Sequence, residues 1–363
     1  MTKLLSALGL MSGTSGDGID IALLETDGDK EVHFYQGHTY PYDQIFRQKI
    51  FKAMQDNTNV DLIKSLEEEL TYLHSQAVQS FLTTIKKDSS TIDVIGFHGQ
   101  TLIHKPHDKI TKQIGNGELL AKLTGIKVVN DFRTQDVLEG GQGAPLVPIY
   151  HHALTRSLQH PLAVVNIGGV ANVTWINHDD PEKLIAFDTG PGNALIDDWV
   201  SKHSDNYYDY DGSYARQGKI HPELLDILMD HHYFSLKPPK SLDRYGFDVS
   251  CLQGLSFLDG TATLTAFTVE SIVKSVQYFP EPVQLWLVTG GGRHNKTLMQ
   301  NLQERLKVTV KPVEAFGWEG DSLEAQAFAY CAVRFLKKLP ISFPKTTGVI
   351  RPIYGGHLSL GLS

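Results

Sequence analysis

The chain has 363 residues, enough for two ordinary domains with substantial cores. Hydrophobic residues make up 41% and charged residues 20%, which excludes a disordered chain, and a net charge of -8 argues against non-specific nucleic-acid binding while allowing a local cluster of donors around an anionic ligand. No apolar run is long enough to span a membrane, the N-terminus enters the first expected strand without a signal-peptide pattern, and two cysteines without Cys-x-x-Cys spacing fit a reducing cytoplasm.

Apolar runs predict strands near 4–10, 19–26 and 31–38. The first two are joined by Met11-Ser12-Gly13-Thr14-Ser15-Gly16-Asp17-Gly18, which reads either as a polar hairpin turn or as a phosphate loop. Gly13, Gly16 and Gly18 remove side chains where a ligand can approach the backbone. Ser12, Thr14 and Ser15 offer hydroxyls, and Asp17 and Asp20 offer carboxylates to Mg²⁺, directly or through water. No Gly-Lys-Ser/Thr follows, so this is not a Walker A loop, and a strand follows where a Rossmann loop has a helix.

Helical spacing is clearest over 61–86, where Leu62, Leu66, Leu70, Leu73, Ala77 and Phe81 share a face. A short strand at 93–97 ends in His98-Gly99-Gln100-Thr101, and another at 127–130 leads into Asp131-Phe132-Arg133. The glycine-rich loop at 139–145 suits a hinge or domain junction. A second unit then repeats the opening plan: a strand at 162–167, a Gly168-Gly169 turn and a strand at 173–176, as in an internal duplication. A strand at 184–187 leads into Asp188-Thr189-Gly190-Pro191-Gly192-Asn193, and Asp188 reads as a turn or cap residue or as a general base. Helices are expected at 194–201, 222–231 and 262–278. A buried strand at 285–288 ends in Thr289-Gly290-Gly291-Gly292, a helix starts near 295, and the last long helix covers 322–338. Strands alternating with helices, strands first in each half, predict a two-lobed α/β protein. The sixteen histidines lack the helical spacing of a zinc centre.

The run Gly9-Leu10-Met11-Ser12-Gly13-Thr14-Ser15-Gly16-Asp17-Gly18-Ile19-Asp20 resembles the opening of the anhydro-N-acetylmuramic acid kinases, which carry leucine where this chain has Gly16. Phe187-Asp188-Thr189-Gly190-Pro191-Gly192-Asn193, His98-Gly99-Gln100-Thr101, Asn130-Asp131-Phe132-Arg133, Gly140-Gly141-Gln142-Gly143-Ala144-Pro145 and Asp321-Ser322-Leu323-Glu324-Ala325 match further segments of that family in the same order. The resemblance implies a two-lobed actin-like ATPase fold, a duplicated ribonuclease H-like plan with ATP in the inter-lobe cleft. Its lobes are expected at 1–138 plus 339–363 and at 139–338. It implies ATP and Mg²⁺ as cofactors and phosphorylation of O6 of 1,6-anhydro-N-acetylmuramic acid while water opens the ring at C1. The products are N-acetylmuramic acid 6-phosphate and ADP, in cytoplasmic peptidoglycan recycling by a homodimer.

Residue by residue, the resemblance implies that Asp188 is the catalytic base. Gly13, Thr14, Ser15, Gly16, Asp17, Gly18, Ile19 and Asp20, with Gly168, Gly169, Asn172, Gly290, Gly291 and Gly292, bind ATP. His98, Gln100, Arg133, Gly190 and Glu324 bind the sugar, Arg133 through its lactyl carboxylate, whose two oxygens match the guanidinium fork. Neither a nucleic acid nor a membrane is an expected partner. Two other readings stand beside this one: a different sugar kinase of the same fold, and a non-catalytic sugar sensor.

Overall fold

A computed structural model describes residues 3–361 except Thr14, Ser15, Asn57, His178 and Tyr245. Internal contacts divide the chain into one unit of residues 1–157 with 321–363 and another of residues 158–320.

The first unit runs β1 (Leu5–Ser12), β2 (Gly18–Thr26), β3 (Val32–Pro41), α1 (Gln44–Gln55), α2 (Val60–Thr84), β4 (Val94–Lys105), β5 (Ile110–Ile114), α3 (Gly117–Thr124), β6 (Val128–Asn130), α4 (Thr134–Leu138) and α5 (Pro148–Thr155). The second holds β7 (Leu162–Ile167), β8 (Val170–Ile176), β9 (Ile185–Pro191), α6 (Ala194–His203), α7 (Pro222–Met229), α8 (Phe257–Lys274), β10 (Leu285–Thr289), α9 (Lys296–Leu306) and β11 (Thr309–Pro312). The chain then completes the first unit with α10 (Leu323–Leu336) and β12 (His357–Ser359).

Both sheets follow one plan. In the first unit β1, β2 and β3 form an antiparallel meander, β4 joins β1 in parallel and β6 joins β4, giving the order β12–β6–β4–β1–β2–β3, with β5 paired to β4. In the second, β7, β8 and β9 form the meander and β10 and β11 continue from β7 in parallel, giving β11–β10–β7–β8–β9. This repeated order, three antiparallel strands and then two parallel ones, is the ribonuclease H-like plan duplicated in actin-like ATPases, as the two strand–glycine–strand passages predict.

Alternation along β1 sends Leu8 and Leu10 into a core with Ile21, Leu23, Ile95, Phe97 and the Leu66, Leu70 and Phe81 face of α2. The opposite face carries Gly9, paired in register with Gly96 of β4. There α10 lies directly on the strands, so that a Cβ on Gly9 or Gly96 would overlap the carbonyl oxygens of Ala325 or Phe328. Helix α1 starts at Asp43, which accepts from the Phe46 amide, and α2 at Asn59, which accepts from the Leu62 amide.

The boundaries differ from those expected at 138/139 and 338/339. Helix α10 packs on β1, β2 and β4, and α5 is tied to it by the Tyr150 hydroxyl, which donates to Gln326 Oε1 at 2.7 Å. The 139–145 loop is not the junction either. Asp136, fully buried, accepts from the Gly143 amide at 2.7 Å and from the Ser342 and Thr347 hydroxyls at 2.5 and 2.6 Å, and the Gln142 amide donates to Thr347 O at 2.6 Å. These bonds bind the loop to the C-terminal segment of its own unit.

Candidate active site

In the first unit the glycine turn leaves β1 at Ser12 and enters β2 at Gly18. The Gly16 amide donates to Gly13 O at 3.0 Å, and Gly16 has φ +62°, a left-handed conformation that glycine adopts without strain. Thr14 and Ser15 lie outside the described residues. A buried chain of hydrogen bonds supports the turn. Tyr42 OH donates to Ser12 Oγ at 3.0 Å, Ser12 Oγ donates to Gln100 Oε1 at 2.6 Å, and Gln100 Nε2 donates to Gly13 O at 3.1 Å. Gln100 is fully buried, so its amide fixes the carbonyl at the turn's entry. Burial pushes the Tyr42 phenol up, which keeps it a neutral donor.

Gly18 serves strand packing, because a Cβ there would lie 2.5 Å from Tyr40 O and 2.9 Å from Pro41 Cα. The Ile19 side chain belongs to the core. Asp17 is held by Arg47, whose Nη2 donates to Oδ1 at 2.7 Å, while Asp20 Oδ1 accepts from Thr39 Oγ1 at 2.6 Å.

Strand β4 does not stop at Phe97 but runs to Lys105, so His98 and Gln100 are strand residues. His98 Nδ1 faces Gly99 O at 2.9 Å and its Nε2 accepts from Arg133 Nε at 3.0 Å, so the partners assign the proton to Nδ1. Burial, followed by the Arg133 charge, holds the imidazole well below its usual pKa and therefore neutral. Arg133 also donates through Nη1 to Gly143 O at 2.7 Å. Phe328 packs on His98 with centroids 4.5 Å apart and lies 6.0 Å from the Arg133 guanidinium carbon. Glu324 sits one helical turn before Phe328 on the same face of α10. His98, Arg133 and the Glu324 turn are thus gathered in one place.

In the second unit the β7–β8 glycine turn interlocks with the segment after β9. The Gly192 and Ala194 amides donate to Gly169 O at 3.0 and 3.2 Å, and the Asn193 amide donates to Gly168 O at 2.7 Å. Gly190 is buried against Ser271 of α8. Gly290, with φ +76°, and Gly292 press against Ile167 at the end of β7, and Gly291 stays exposed. A short 3₁₀ turn over 291–294 separates this cluster from α9, so it is not itself the start of that helix. Arg293 fastens the turn, donating to Gly290 O at 3.0 Å and to Glu314 Oε1 at 2.7 Å.

Asp188 lies within β9, opposite Asn172 of β8, and not at a strand end. It is 8% exposed. Its Oδ2 accepts from the Leu242 amide at 2.8 Å, its own amide donates to Lys240 O at 3.0 Å, and its carbonyl accepts from Tyr233 OH at 2.6 Å. A carboxylate buried on a rigid strand and fixed by a backbone amide is suited to take a proton in a fixed direction. Sequence reasoning missed Tyr233, Lys240 and Leu242, which lie in none of the motifs that carry the resemblance.

The model of the family described as anhydro-N-acetylmuramic acid kinase matches residues 5–359. An anhydro-N-acetylmuramic acid kinase of Paramagnetospirillum magneticum is 49% identical over 97% of this chain and 98% of its own length. One of Rhizorhabdus wittichii is 47% identical over 98% and 99%. Among solved structures, a ROK family glucokinase from Streptomyces griseus in complex with glucose and AMPPNP is similar at 11% identity and a TM-score of 0.40, over 90% of this chain and 97% of that one.

Proposed function

The chain belongs to the anhydro-N-acetylmuramic acid kinase family, and from that membership we propose that it converts 1,6-anhydro-N-acetylmuramic acid, ATP and water into N-acetylmuramic acid 6-phosphate and ADP. The observation that carries the mechanism is the buried carboxylate of Asp188, oriented on its strand by the Leu242 amide. Asp188 takes a proton from water as the water oxygen bonds to C1. The C1–O6 bond breaks, and the electron pair on O6 forms the new bond to the γ-phosphorus. The bond from that phosphorus to the β–γ bridging oxygen breaks, and ADP leaves.

Arg133, oriented by neutral His98, is the partner for the lactyl carboxylate, and Glu324 faces sugar hydroxyls. The turn at 13–18, supported by Gln100, and the Gly168-Gly169 and Gly290-Gly292 turns supply backbone for ATP. A hydrated Mg²⁺ fits these residues, because Asp20 offers a carboxylate near the turn. Asp20 would hold it through water, with Asp17 committed to Arg47; the ion would neutralise charge on the β- and γ-phosphates. ATP as phosphoryl donor supports work in the cytoplasm, and no helix among the described residues is long and apolar enough to cross a membrane.

The test uses H₂¹⁸O. The label should appear on the anomeric carbon, with inverted configuration in the first-formed product, while the phosphate ester keeps the bridge oxygen at O6. Asp188→Asn should abolish turnover while ATP and sugar still bind. Label in the phosphoryl group with none at C1, or a product with its anhydro bridge intact, overturns this reading.

A further inference from the structure

Strand β9 is the edge of its sheet, and an edge strand that carries the base needs something on its open side to fix it. The segment 240–242 fills that role. Lys240 O accepts from the Asp188 amide at 3.0 Å, and the Leu242 amide donates to Asp188 Oδ2 at 2.8 Å. The Lys240 side chain tethers the segment in turn. Lys240 is only 6% exposed, and its ammonium donates to Tyr233 O at 3.0 Å and lies 4.3 Å from the Tyr233 ring centroid. Tyr233 closes the circuit through its hydroxyl, bonded to the Asp188 carbonyl at 2.6 Å.

We propose that Lys240 is a positioning residue for the reaction: its buried ammonium, seated on Tyr233, locks the 240–242 clamp that aims the Asp188 carboxylate. This rests on Asp188 being the base. Lysine is suited to the task because its flexible stem delivers a compact charge to a backbone carbonyl and an aromatic face together. The ammonium faces Asp188 on β9, Lys274 on α8, and the Tyr233 and Tyr278 phenols, with the Tyr278 centroid at 5.4 Å and the Phe187 centroid at 6.0 Å. Burial, then the Lys274 charge, lowers its pKa to about 8 against the opposing pull of Asp188, while burial raises both phenols. The tether is charged below that pH and loses its charge as pH rises through it, so turnover should fall there while both phenols remain protonated.

The experiment compares wild type, Lys240→Met, Lys240→Arg and Asp188→Asn for kcat, KM of both substrates and the pH profile of kcat. Misaiming the base by about 1 Å should lower kcat of Lys240→Met by roughly 10–100-fold, with both KM values little changed and no alkaline fall near pH 8. Lys240→Arg should recover much of kcat at pH 7, and its alkaline fall should vanish, because a guanidinium stays charged beyond about pH 12. Calorimetric titration with ATP and the anhydro sugar shows whether each variant is folded. Wild-type kcat and an unaltered pH profile in folded Lys240→Met overturn the proposal while leaving Asp188 as the base. Activity retained in Asp188→Asn overturns the base assignment on which the proposal rests.

Discussion

Replacing Gly9 with alanine tests how the last helix is seated on the first sheet. The new Cβ would overlap the Ala325 carbonyl oxygen and lie 2.8 Å from the Ala329 amide nitrogen, both of them helix backbone at fully buried residues. Ordinary nonbonded carbon separations begin near 3.5 Å, so α10 must withdraw by about 1.5 Å or more. Overpacking usually costs about 1–3 kcal/mol, and an obstacle of helix backbone puts this case at the upper end, about 3 kcal/mol. For a unit of roughly 200 residues each kcal/mol lowers Tm by about 2–4 °C, so calorimetry should show a fall of about 6–12 °C. Adding Gly96→Ala should cost less than it does alone, because Phe328 O, its obstacle, belongs to the same displaced helix. Phe328 packs on His98, so the KM of the anhydro sugar should rise as well. A Tm within about 2 °C of wild type, the size of a sub-kilocalorie effect, or strict additivity of the two substitutions, would refute this account of the helix seat.

Arg133→Ala should weaken the muramic substrate more than its analogue without the lactyl group, by about 1.5–3 kcal/mol or roughly 10–150-fold in Kd; equal losses in calorimetric titration would assign Arg133 a structural role. Asp27 Oδ1 accepts from the amides of Asp29, Lys30 and Glu31 at 2.8, 2.9 and 3.0 Å. Burial raises its pKa, but these bonds together hold it below the usual value. Its stabilisation is therefore complete above the unfolded value of about 3.9 and fades as pH falls through the lower folded one. Urea denaturation should find Asp27→Asn less stable than wild type at pH 7, with the gap narrowing below about pH 4; a gap independent of pH would refute the assignment.

The two strand–glycine–strand passages were legible because apolar runs and glycines are local signals, and α2 because Leu66, Leu70, Ala77 and Phe81 recur at helical spacing. The extension of β4 through Lys105 was not, since the residues after Phe97 do not alternate and the pairing with β5 that holds them extended is tertiary. The unit to which α10 belongs was also hidden. Gly9 and Gly96 are spaced far apart in sequence, and only parallel register brings them together as the groove that receives the helix. For the site, the residue types at Asp188, His98 and Arg133 were readable, but their partners were not. The backbone of Lys240 and Leu242 meets Asp188 about fifty residues on from it, through contacts that no local pattern encodes.

The first unit's discontinuity also sets an order of events during synthesis. Residues 1–157 emerge first, yet their sheet gains α10 and β12 only after residues 158–320 have been made. At about 5–20 residues per second the ribosome spends roughly 10–30 s on that interval. Throughout it the glycine groove of β1 and β4 has no helix over it, and β6 has no β12 beside it. The contiguous second unit, by contrast, has its whole sheet available once β11 has emerged. The part of the chain translated first is therefore the last to be completed, and the nascent protein meets the cell with an apolar strand surface bare for many seconds.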